Sequence, residues 1–103
     1  MPEPVASRDR RSRLSLRLYV AGEAPNSLAA RRRLERVLED LDLESLELEV
    51  VDVMQEPGRV LADGVVVTPT LVRLAPLPER RMVGDLSAED RLRQLLHLEG
   101  PMS

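Results

Sequence analysis

The sequence of 103 residues contains no cysteine, which rules out a disulfide, a thiolate nucleophile, a thiol redox centre and a cysteine-ligated zinc. It has no Phe and no Trp, and its only aromatic residue is Tyr19, so stacking on bases or sugar rings is nearly excluded. One histidine, His97, leaves no multi-histidine metal site and makes Ser-His-Asp chemistry depend on a single imidazole. These absences favour binding over catalysis, with no cofactor, no metal and no catalytic residue expected. No apolar run approaches the ~20 residues that span a bilayer. Arg and Asp stand where a signal peptide would be apolar. A cytoplasmic protein without membrane contact is the expectation.

What remains is aliphatic and charged. Nineteen Leu and 12 Val must build the core, without Ile, and the length suits one domain. All 15 cations are Arg, set against 18 acids for a net charge of −3. The charge is uneven: Arg8, Arg10, Arg11 and Arg13 outnumber Glu3 and Asp9, which leaves an acidic body. An acidic body argues against nucleic acid as a partner.

Residues 1–13 combine prolines, small residues and alternating charge, the pattern of a disordered arm. From residue 14 to 99 the pattern is that of a folded domain, and 100–103 form a short tail. Leu14, Leu16, Leu18 and Val20 alternate with Ser15, Arg17 and Tyr19, which predicts a first strand. Residues 21–25 turn, and Asn26 or Ser27 is placed to cap a helix. In that helix Ala30, Leu34, Val37, Leu38 and Leu41 form one apolar stripe, with Arg36 and Asp40 spaced as an ion pair. Residues 46–53 alternate again, with Leu46, Leu48 and Val50 opposite Glu47 and Glu49. Strand, helix and strand in about 40 residues predict a βαβ unit with parallel strands.

Pro57 opens a short helix to Ala62, and Gly64 stops it. Pro69 cannot donate to a ladder, so the next strand is expected at Thr70 to Leu74. Pro76 and Pro78 turn the chain into a strand over Arg80 to Val83, which Gly84 and Asp85 end. Ser87 is expected to cap a last helix, with Asp90 completing a capping box and Ala88, Leu92, Leu95 and Leu96 on one face. The order β-α-β-α-β-β-α predicts an α/β, thioredoxin-like fold.

Four strings carry a resemblance: LYVAGEAPNS (18–27), VDV followed by Pro57, TPTL (68–71) and GDLS (84–87). Together they resemble the KaiB family of the cyanobacterial circadian clock. The resemblance implies a non-enzymatic regulator that binds the ring ATPase KaiC, sequesters KaiA and competes with a sensor histidine kinase. It also implies two folds: a thioredoxin-like monomer that binds the ring, and a tetrameric ground state whose C-terminal half is rebuilt. For this chain the residues choose between them. SAEDRLRQLLHL has no β-branched residue and suits a helix, whereas the ground state needs a strand there. The thioredoxin-like form is therefore expected. Gly64, Glu47 and Glu49 depart from the family, where more basic residues are usual, and point to a divergent paralogue working with another ATPase or kinase.

Where thioredoxins hold Cys-x-x-Cys, this chain has Ala24, Pro25, Asn26 and Ser27, a turn and helix cap. Pro69 stands at the cis-proline position of that fold. Tyr19, Asn26, Arg73, Arg80 and Arg81 are the candidate protein contacts, the arginines toward an acidic partner surface. Pro69, Pro76, Pro78, Gly84, Asp85 and Ser87 are the structural and fold-switch candidates: X–Pro isomerisation is slow enough to gate a switch, the resemblance puts Gly84 and Asp85 in the family's switch region, and Ser87 offers a helix cap that a strand could not use. His97, near a helix C-terminus, has no assigned function. Two other classes remain: a glutathione-binding member of the thioredoxin superfamily, and RNA or DNA binding through the arginine-rich arm and Arg31 to Arg33.

Overall fold

Alternating aliphatics produce the first strand, and the helical stripe that follows covers one of its faces. The structure is a computed structural model that describes residues 13–41, 43, 45–65 and 67–96. Its elements are β1 (Arg13–Val20), α1 (Pro25–Glu39), β2 (Ser45–Asp52), α2 (Pro57–Ala62), β3 (Thr70–Ala75), β4 (Arg80–Val83) and α3 (Glu89–Leu96). This is the element order expected, with the last segment helical. The arm at 1–12, the tail at 100–103 and His97 lie outside the described residues. Arg13, assigned above to the arm, instead begins β1.

The four strands run in the order β2-β1-β3-β4. β1 and β2 are parallel, in register from Arg13 opposite Ser45 to Val20 opposite Asp52. β3 lies antiparallel to both β1 and β4. Helices cover both faces. Leu14, Leu16, Leu18 and Val20 join Ala30, Leu34, Val37 and Leu38 of α1 and Leu92, Leu95 and Leu96 of α3 in the larger core. On the opposite face Tyr19, Val51, Val65 and Val72 form a smaller cluster, against which Val60 of α2 packs. β1 contributes to both clusters, and Tyr19 is 1% exposed.

Four local expectations are corrected. Pro25, not a polar cap, opens α1 after Ala24, with no side-chain cap bond. Asn26 lies exposed inside the helix, and Ser27 Oγ accepts from the Ala21 amide instead, at 3.0 Å. Ser87 does not cap α3 either: its amide donates to Asp85 Oδ1, and the helix begins two residues later. Asp40 pairs with Arg93 of α3 at 3.2 Å, while the i,i+4 pair along α1 is Arg31 with Glu35. Leu46, near the start of the edge strand β2, is 41% exposed. Only Leu48 and Val50 of that stripe reach the core.

The fold depends on α3, so two outcomes check it. Amide and carbon chemical shifts of residues 89–96 are expected to be helical. Leu92→Ala, at a fully buried site, is expected to cost about 3 kcal/mol in urea unfolding, a large share of the ~5–10 kcal/mol available to such a domain.

Candidate functional site

The β1–α1 junction, where thioredoxins carry their thiols, is a braced turn. Gly22 has φ +54°, which favours glycine, and its amide donates to Asp52 Oδ1 at 3.1 Å. The same oxygen accepts from Met54 at 2.9 Å, so one carboxylate ties this turn to the end of β2. Ser27 is buried with its oxygen already engaged, and Ala24, Pro25 and Asn26 offer no nucleophile. The Thr68–Pro69 bond is cis, as expected for that position; Ala75–Pro76 and Leu77–Pro78 are cis as well.

Tyr19 is not a surface anchor. Its hydroxyl donates to the Asp63 carboxylate and accepts from Arg17 Nη1 at 3.3 Å. Arg17 also reaches Glu49 at 3.0 Å, and Glu49 pairs with Arg59 at 2.7 Å. Burial of the phenol, followed by the bond to Asp63, raises the Tyr19 pKa. Arg59 pulls the Glu49 carboxyl below its ordinary range. Glu49 is thus answered within the same face rather than left as free negative charge.

The arginines of the C-terminal half divide. Arg73 alternates onto the α3 side of an interior strand and is 6% exposed. Its guanidinium donates to the Leu95 carbonyl at 2.8 Å and the Pro78 carbonyl at 2.9 Å. The expected contact role is corrected here: Arg73 braces the end of α3 and the β3–β4 turn from inside. Burial, then the nearby Arg80 charge, disfavours its cation. Arg81 is exposed, but it donates to the carbonyls of Asp63 at 2.7 Å and Gly64 at 3.3 Å. Arg80 is exposed on β4 beside α3. It lines an open groove of about 330 Å³ with Arg81, Met82, Arg91, Gln94 and Leu95. Arg91 and Gln94 escaped sequence reading as site residues, although their spacing of three puts both on one side of α3.

The segment 84–87 has the special backbone expected of it. Gly84 has φ +108°, Leu86 has φ +63° while buried, and Asp85 closes an Asx-type turn onto Ser87. Arg33 of α1 clasps Asp85 twice, on its carbonyl at 2.8 Å and its carboxylate at 3.3 Å. The bonds to Ser87, with Arg33 contributing less, hold the Asp85 carboxyl below its usual pKa. Among the described residues no group of three His, Cys, Asp or Glu is placed to hold a metal ion, and no helix is long and apolar enough to cross a membrane.

Comparison with known proteins places these features. Residues 17–98 match the KaiB domain model. A circadian clock oscillator protein KaiB from a Synechococcus species is 44% identical over 84 residues, 82% of this chain and 74% of the relative. The protein of that name from Synechococcus elongatus is 43% identical over 84 residues, covering 82% and 80%. Among solved structures, the N-terminal domain of Synechococcus elongatus SasA matches with a TM-score of 0.69 and 28% identity over 85% of this chain and 87% of that one. Fasciola hepatica thioredoxin matches with a TM-score of 0.65 at 20% identity, covering 92% and 89%, a likeness of fold alone. The fold is thioredoxin-like.

The Tyr19–Asp63 bond generates a pH-dependent outcome. A phenol whose pKa is raised on folding contributes stability below the unfolded value near 10, and that stability is lost as pH climbs past it. Tyr19→Phe is expected to cost about 2 kcal/mol at neutral pH and to flatten the fall in stability above pH ~10, measured by chemical denaturation across pH.

Proposed function

The chain belongs to the KaiB family, and on that premise we propose that it is a non-enzymatic regulator that docks its thioredoxin-like domain onto a KaiC-type ATPase ring and so modulates timing or related signalling. The observation that carries the reading is the helical C-terminal segment. With Leu92, Leu95 and Leu96 buried in the core, the chain stands in the fold that the family resemblance links to ring binding.

Support comes from the chemistry of the redox position. Without cysteine the chain cannot run thiol-disulfide exchange, so a thioredoxin-like scaffold here serves recognition. Of the contact residues expected from the sequence, Asn26, Arg80 and Arg81 are exposed, and these are the proposed contacts. Tyr19 and Arg73 act behind that surface by holding it in shape. Gly84, Asp85 and Ser87 are proposed to bias the fold, because the Arg33 clasp and the Asx turn set the angle at which α3 leaves β4.

The test is capture of a KaiC-type hexamer, loaded with ATP, on the immobilised chain. Retention of the hexamer at roughly tens of micromolar is expected. No retention at that concentration overturns the assignment of the partner.

A further inference from the structure

We propose that the groove between β4 and α3 receives an extended acidic peptide segment of a partner protein, held by Arg80 and Arg91 and laid along the free edge of β4. The inference rests on the docking reading above for the existence of a protein partner, and it adds the chemistry of what is bound and the place where it binds.

Several observations converge on this groove. β4 is a terminal strand of the sheet, so one side of its backbone has no strand partner among the described residues. An added extended segment would complete the ladder. Arg80 from β4 and Arg91 from α3 line the same open space of about 330 Å³. Neither forms an ion pair among the described residues. Of the acids near them in sequence, Glu79 is engaged with Arg81 and Glu89 with Arg93, while Asp90 pairs with neither Arg80 nor Arg91. Behind them the Arg80 charge disfavours the buried Arg73 cation, so positive charge is concentrated where anions would relieve it. The floor is aliphatic, with Met82 and Leu95 each nearly buried, and the amide of Gln94 adds a neutral hydrogen-bonding group.

The same facts disfavour a nucleic acid. Tyr19, the only aromatic, is buried and unable to stack on a base. A long polyanion would meet the rest of a chain whose net charge is −3, whereas a short acidic segment needs only the groove. The basic residues on α1 offer a poorer site, because Glu35 and Glu39 share the hollow lined by Arg32, Arg33 and Arg36.

The experiment titrates the full chain with a fluorescein-labelled octapeptide of alternating Glu and Val, alongside a Lys-Val octapeptide. Expected are salt-sensitive binding of the acidic peptide only, amide shift changes concentrated in residues 80–83 and 89–96, and a loss of affinity of about tenfold or more in R80Q/R91Q. Retained helical circular dichroism checks the fold of that variant. Should the double variant not fold, the shift map and R91Q alone, at an exposed helix position, decide in its place. Undiminished binding in the variants, shift changes centred on α1 near Arg32 and Arg36, or displacement of the peptide by millimolar sulfate would each overturn the proposal. Ring capture without peptide binding removes the groove but not the ATPase. Peptide binding without ring capture removes the ATPase and keeps the groove.

Discussion

Everything in this protein depends on three leucines of the last helix finding the sheet. Leu92, Leu95 and Leu96 share one side of α3 and close the larger core over β1 and β3. Wound as a strand, the same residues would place Arg91, Arg93 and Leu95 on one face and Leu92, Gln94 and Leu96 on the other. Neither face could then be buried without taking a guanidinium or an amide with it. As a helix the segment buries only leucine there. The aliphatic core, with no Phe or Trp to supply area, has no surplus from which to do without that contribution.

Arginine, the only cation the chain uses outside its N-terminus, orients the elements around that core. Arg33 joins α1 to Asp85, Arg93 joins α3 to Asp40 of the α1 terminus, and Arg73 reaches the carbonyls that end α3 and the β3–β4 turn. Exposed pairs of this kind contribute little stability each. Their planar forks instead fix direction, and Arg73 does so while buried, through backbone acceptors. Arginines without such partners among the described residues fall into two pairs, Arg32 and Arg36 beside acids on α1, and Arg80 and Arg91 across β4 and α3.

The thioredoxin-like fold here carries no thiols and holds the turn before α1 by hydrogen bonds instead. The turn before α1 is braced by Asp52 and Ser27, and Pro69 still precedes β3 in cis. On the other side of the domain the 84–87 segment takes left-handed backbone at Gly84 and Leu86, next to the exposed arginines of β4. KaiB membership and this division of labour agree, since the family resemblance puts its change of fold in the same half of the chain.

Much of this was readable from local pattern. Period-two runs marked β1 and β2, the apolar stripes marked α1 and α3, and proline and glycine bounded β3 and β4, because each of these signals is written within a few residues. Residues whose role depends on a partner far along the chain could not be read that way. Asp63 meets Tyr19 across 44 positions and Arg93 meets Asp40 across 53. Arg73 is buried where α3 packs over β3, and Leu46 is exposed near the start of β2, neither of which local spacing states. Local spacing therefore settled which elements form and which state the C-terminal half adopts. Strand order and helix docking decided which arginines are spent inside and which stay exposed, since burial belongs to the assembled layers and not to any one segment.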